Sequence, residues 1–141
     1  MKTLKLLLAT GMLSACTGAV TVQNGEELLL DSWTLTREGT SEQYDVKVPS
    51  TVAGVLYEQG YFGEEDILNG TAYYDVDKSI FDDAWIYETE FDLNLAQGRH
   101  YDLVFNGLNY YADITLNGTQ IASSDTTYGV FIKREYDVTG L

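Results

Sequence analysis

The feature that most constrains this chain is a period-two alternation that keeps returning. In residues 85–92, Trp85, Tyr87, Thr89 and Phe91 fall on one face, and Ile86, Glu88, Glu90 and Asp92 on the other. Side chains alternate in this way only on extended backbone. The run predicts a half-buried strand with an aromatic inner face. Trp33, Leu35 and Arg37 alternate with Thr34, Thr36 and Glu38, and residues 44–48 alternate too. Tyr101, Leu103 and Phe105 repeat the pattern, as do Ala112, Ile114 and Leu116. Residues 120–122 and 128–133 add further predicted strands. No strand alternates with a long amphipathic helix, which argues against a parallel sheet. The predicted fold class is therefore all-β, an antiparallel β-sandwich with one short helix.

Local punctuation supports that pattern. Pro49 stops the strand over residues 44–48. Ser50 then reads as the N-cap of a helix over residues 51–59, with Val52, Val55 and Leu56 on one face and Gly60 at its end. Asn69-Gly70 and Asn117-Gly118 head glycosylation sequons, but Asn-Gly also suits tight hairpins, and both are read as turns. Residues 61–83 form a long irregular stretch rich in tyrosines and acids. Such stretches inside a compact domain are usually functional or disordered. The chain ends on Tyr136-Asp137-Val138-Thr139-Gly140-Leu141 with no predicted closing strand, so the sandwich is expected to be incomplete at its C-terminus.

The first residues read as an address. Lys2 and Lys5 precede an apolar run that includes Leu6, Leu7, Leu8, Met12 and Leu13. That run is too short to span a bilayer as a mature helix. It leads into Leu13-Ser14-Ala15-Cys16, which resembles a bacterial lipoprotein cleavage box. Three segments are expected: a signal peptide over residues 1–15, a tether over 16–27 and the β domain over 28–141. Cys16 would carry the lipid and hold the protein in the bacterial cell envelope, periplasmic or at the cell surface. No other segment approaches a transmembrane length.

Composition narrows the chemistry. Twenty-two acidic side chains against eight basic ones give a net charge of −14, which excludes a phosphate-tracking nucleic-acid binder. A single cysteine excludes an internal disulfide and a cysteine-ligated zinc site. No phosphate-binding glycine loop occurs. His100, the one histidine, reads as a solvent-facing side chain rather than a base or ligand. Asp75, Asp77, Asp82 and Asp83 lack the spacing of a calcium loop and read as solvated acids. Neither a metal nor a cofactor is expected.

One series of motifs goes further. Val48-Pro49-Ser50-Thr51-Val52 is followed by the Trp85-Ile86-Tyr87 strand and by the run from Phe105-Asn106-Gly107-Leu108-Asn109 through Ala112-Asp113-Ile114 to Leu116-Asn117-Gly118. Tyr136-Asp137-Val138-Thr139 closes it. This series resembles the N-terminal sugar-binding-like domain of glycoside hydrolase family 2, nearest its β-mannosidase and exo-β-glucosaminidase branch. The resemblance covers residues 28–141. It implies a jelly-roll, galactose-binding-like domain that precedes an immunoglobulin-like domain and a catalytic (β/α)8 barrel. The family's acid/base is a glutamate after an asparagine, and no Asn-Glu dipeptide exists here, so no catalytic residue is assigned.

The resemblance implies the front of an exo-acting β-glycosidase. Its partners would be a β-linked mannoside or glucosaminide, a membrane reached through the lipid, and the downstream barrel of the same protein. The loop before the Trp-x-Tyr strand reaches the active-site mouth in the family, often with Asp-Pro-Tyr and an asparagine. Asp-Pro-Tyr is absent here, and Asn69 is the nearest asparagine. Asn69 is therefore the first candidate sugar contact, against a plain turn. Trp85 is the second, against a core position shared with Tyr87 and Phe91. The alternatives are a stand-alone carbohydrate-binding lipoprotein and an inert spacer.

Overall fold

The computed structural model describes residues 2–7, 21, 23, 25–64, 74 and 77–141, with the backbone alone for 2–7. The elements in order are β1 (Lys2–Leu7), β2 (Ser32–Arg37), β3 (Gln43–Lys47), α1 (Val52–Glu58), a 3-10 turn (Lys78–Phe81), β4 (Trp85–Leu93), β5 (Asp102–Phe105), β6 (Ile114–Leu116), β7 (Thr119–Ala122) and β8 (Arg134–Asp137). Each strand pair with a defined register is antiparallel. They divide into two compact units, Asp31–Ile86 and Met1–Leu30 with Tyr87–Leu141.

In the unit Asp31–Ile86, β2 and β3 form a hairpin that sets Trp33 opposite Val46 and Leu35 opposite Tyr44. Leu35 is fully buried, as the alternation requires. Thr51, not Ser50, caps α1: it is extended (φ −110°, ψ 159°), and its hydroxyl accepts from the Gly54 N–H at 3.1 Å. The helix ends on Gly60 at φ +76°, where Gly60 N–H donates to the Tyr57 carbonyl and Tyr61 N–H to that of Leu56. This pair of bonds satisfies the last carbonyls and favours a residue without a Cβ. Leu56, Phe62 and Ile80 form the buried cluster, with Tyr44, Val52 and Trp85 packed against it.

In the other unit, β6 and β7 are joined by a two-residue turn, with Leu116 opposite Thr119. Asn117 (φ 50°) and Gly118 (φ 78°) both take positive φ, the type I′ geometry that the dipeptide predicts. Ile114 and Leu116 are fully buried. β5 pairs with β8, and Phe105 meets Tyr136 edge to face at 6.1 Å. The predicted strand over residues 128–133 does not form. Gly129 sits at φ +105°, which bends the backbone out of a strand, and pairing resumes only at Arg134.

β1 lies in the stretch read as a leader. Its backbone pairs with β4 from Lys2–Leu93 to Leu7–Glu88, and on its other side Leu6 and Leu7 pair with Leu116 and Thr115 of β6.

Two substitutions separate local from packing contributions. Thr51→Ala is expected to cost about 1 kcal/mol through the lost cap. Leu116→Ala is expected to cost about 2–5 kcal/mol, because a fully buried side chain leaves a cavity. Urea unfolding of both variants checks the ranking.

Candidate functional site

Of the residues singled out from sequence, Asn69 and Cys16 lie outside the described residues. Trp85 is half-buried in the unit Asp31–Ile86. Its indole N–H donates to the Ile80 carbonyl at 2.9 Å, and its ring stacks on Tyr44 with centroids 6.4 Å apart. The indole therefore holds the short 3-10 turn against the hairpin. The acids near that turn are also engaged. Asp77 caps the turn by accepting from Ser79 N–H at 2.9 Å. Asp83 accepts from Arg37 Nε at 2.7 Å, and the Arg37 guanidinium also reaches Glu42. The hydrogen bond to Asp83 raises the Arg37 pKa further.

The most unusual surface lies in the other unit, where two loops run together. Ala112 N–H donates to the Thr127 carbonyl at 3.2 Å, and Gly129 N–H to the Tyr110 carbonyl at 2.8 Å. Tyr111 and Tyr128 form an antiparallel bridge between them. Residues paired in this way present their side chains on the same face. Tyr110 meets Tyr111 edge to face, with centroids 5.9 Å apart. Tyr110, Tyr111 and Tyr128 are 58%, 66% and 58% exposed. Three phenol rings are thus held in water on a hydrogen-bonded ladder.

Two features fix that ladder. Buried Thr127 sets its hydroxyl against the carbonyls of Ala112 and Ser123, so a polar group inside the fold keeps its partners. Gly107 lies so near residue 130 that a Cβ there would come within 2.6 Å of the Val130 carbonyl oxygen. Sequence reasoning placed no candidate contact in this run. The signal it held was the Tyr110-Tyr111 pair beside Gly107, but the partner Tyr128 is seventeen residues away and only the fold reveals it.

A second group gathers at the β5–β8 pair, where Asp102 stands opposite Asp137. His100 Nε2 lies 2.9 Å from Asp102 Oδ1, and its Nδ1 lies 3.6 Å from Asp137 Oδ1. The three residues are exposed, and their potential ligand atoms lie within 4.8 Å of one another. The carboxylates take opposite nitrogens of one ring, and a single ion cannot use both nitrogens. The arrangement is that of a hydrogen-bonded clamp. Hydrogen bonds from Thr139 lower the Asp137 pKa, and His100 adds to the effect. Nearby, residues 94–101 curl around an open surface hollow of about 480 Å³ that includes Asn94, Arg99 and Tyr101.

The profile of the family described as glycosyl hydrolase 2 galactose-binding domain-like matches residues 33–141, which contain α1, the clamp and the tyrosine ladder. The chain belongs to this family. Its antiparallel sheets and short helix are those of a small all-β galactose-binding-like domain. Among similar curated proteins is the exo-beta-D-glucosaminidase of Hypocrea virens, 29% identical over 96% of this chain and 17% of its own length. That of Hypocrea jecorina is 34% identical over 64% of this chain and 10% of its own. That of Amycolatopsis orientalis is 31% identical over 71% of this chain and 9% of its own. The chain thus spans less than a fifth of the length of these relatives. No solved structure matches it significantly.

For this glycoside hydrolase 2 domain, Gly107→Ala is expected to cost about 1–3 kcal/mol, since a backbone carbonyl must move to admit the methyl group. Loss of fixed tyrosine environments in the near-ultraviolet circular dichroism spectrum would accompany it. Asp137 gives a pH test. Its pKa is lower folded than unfolded, so its stabilisation is full above the unfolded carboxylate pKa and is lost as pH falls through the lowered value. Asp137→Asn is therefore expected to lower the Tm at neutral pH. The gap to the native protein should narrow as pH drops below about 3.8, the usual carboxylate value.

Proposed function

We propose that this chain is the leading domain of an exo-acting β-glycosidase anchored by lipid at the bacterial envelope, and that the catalytic carboxylates lie elsewhere in the parent protein. The observation that carries this reading is the family match over residues 33–141, together with relatives that are exo-beta-D-glucosaminidases. Their names favour a β-glucosaminide over a β-mannoside as the parent's substrate. The parent would act by double displacement, which needs two carboxylates about 5–5.5 Å apart on a rigid support. This domain would shape the rim of the pocket and exclude water, and so contribute to substrate positioning rather than to bond cleavage.

Cys16 would supply the anchor. One acyl chain gives marginal membrane binding and a second makes it firm. Removal of residues 1–15 takes Lys2 and Lys5 and leaves six basic against twenty-two acidic side chains, 6 − 22 = −16, so the protein surface itself would repel anionic lipid, which leaves the anchoring to the acyl chains. A stand-alone carbohydrate-binding lipoprotein is the second reading. The exposed tyrosine ladder favours it, since a binding module needs only one such surface.

Expression of the natural gene that carries this sequence, through to its own stop codon, tests both readings. The product is expected to release amino sugar from an aryl β-glucosaminide faster than mannose from the matching mannoside, while the 141-residue chain alone releases neither. A stop codon directly after Leu141 would leave the binding-module reading. In a bacterial host, Cys16→Ala is expected to abolish incorporation of labelled palmitate and to move the protein from the membrane to the soluble fraction. Labelling that persists in the variant would remove the anchor from the proposal.

A further inference from the structure

We propose that, once residues 1–15 are removed, a strand of the parent protein beyond residue 141 takes the place of β1 between β4 and β6. That strand is apolar at every second position, carries no acid between, and sets a lysine or arginine opposite Glu90. The inference rests on the reading that a leader is cleaved from a longer protein, and it names what completes the sheet afterwards.

The gap is defined on both sides. In the sheet, β4 and β6 meet only through β1, which pairs with β4 from Lys2 to Leu7 and with β6 at Leu6 and Leu7. Main-chain bonds supply the affinity of such a gap, and the side chains at alternate positions supply its choice. Residues opposite each other on paired strands share a face. One face of β4 carries buried Thr89 and Leu93 with half-buried Phe91 between them, and fully buried Leu116 of β6 stands level with Thr89. An incoming strand gains by placing apolar side chains there. The other face of β4 carries Glu88, Glu90 and Asp92, and Thr115 of β6 stands level with Glu88. Like charges set opposite each other destabilise a sheet, and unlike charges stabilise it. β1 follows the same rule in its register: Leu4 stands opposite Phe91, Leu6 opposite Thr89 and Leu116, and Lys5 opposite Glu90.

The processed chain has its own basic residues committed elsewhere. Residues 16–27 hold no lysine or arginine, and Thr21 is kept past the end of β4, where its hydroxyl accepts from Asn94 Nδ2 at 3.1 Å. Of the six basic residues that remain, Arg37 lies in β2, Lys47 in β3, Lys78 in the 3-10 turn and Arg134 in β8. Arg99 and Lys133 lie in the segments that lead into β5 and β8. A second copy of the processed chain is therefore as poorly matched as the first. The relatives, of which this chain spans less than a fifth, have the length to supply a further strand.

Two measurements test this. In the full 141-residue chain, Glu90→Lys sets like charges at opposite positions. Hydrogen exchange of the Leu4–Leu7 amides should quicken about two- to fivefold, and Lys5→Glu added to that variant should slow it again. Equal exchange in the native chain and both variants would overturn the charge rule and with it the proposal.

The second measurement identifies the strand in the natural gene product after processing. Asp92→p-benzoylphenylalanine places a photoreactive ketone on the acidic face of β4, and light joins it to a C–H carbon of whatever lies alongside. A link to a segment beyond residue 141 with the stated alternation is expected. A link to residues 16–27, a link to a second copy, or no link would each overturn the proposal and assign the gap to the processed N-terminus, to a dimer or to solvent. A link to residues 2–7 would overturn it and remove the leader reading as well. Cleavage of glucosaminides by a product that links elsewhere would remove this strand and leave the glycosidase reading intact. The expected link in a product that cleaves nothing would do the reverse.

Discussion

Two stretches of backbone lie together at residues 107 and 130 only because residue 107 has no side chain. Everything on that face follows from this approach. It allows the loop after β5 to run beside the loop before β8, and the ladder between them turns Tyr111 and Tyr128 to one side. A loop that merely hung in solvent would carry the same residues without fixing them. The protein thus gains a rigid surface from a glycine, a buried threonine and a few backbone bonds.

The two units use different means to the same end. Asp31–Ile86 closes around an apolar cluster, and its polar groups serve caps and a surface ion pair. The other unit keeps Tyr110, Tyr111, Tyr128 and Phe131 at the surface and fully buries small and aliphatic side chains such as Thr127, Ile114 and Leu116. That distribution fits a domain whose outer face has a task and whose inner face only has to pack. Acids are handled locally: Asp77 caps, Asp83 pairs with Arg37, and Asp137 is held by Thr139 and His100. A strongly acidic chain therefore needs few cations to stay folded.

Much of this was legible beforehand. Alternation placed β2 and β6, whose buried Leu35 and whose Ile114 and Leu116 fall on the faces it predicts. It placed β4 but not its inner face: Ile86, read as outward, is buried along with Thr89 and Leu93, while Trp85, Tyr87 and Phe91 are only half-buried. Asn117-Gly118 and Gly60 were legible because each meets a backbone requirement that few other residues meet. The stretch at 128–133 misled, since Phe131 and Ile132 look like strand residues and only Gly129 marks the bend. Ser50 and Thr51 are both good caps, and the choice between them depends on backbone angles that composition does not encode. The tyrosine cluster and the clamp around His100 were hidden for another reason. Both depend on pairing between distant segments, and no local pattern names a partner.

The position of β1 has a consequence of its own. At Leu6 and Leu7 it fills a slot one strand wide between β4 and β6, which would otherwise face each other there across roughly 9.5 Å. In the leader reading, a peptidase withdraws this filler and leaves two rows of unmatched amides and carbonyls aimed at the same vacancy. Such a vacancy accepts extended chain on main-chain geometry first. The order of cleavage and refilling would then govern whether the sheet heals within one molecule or zips onto its neighbours.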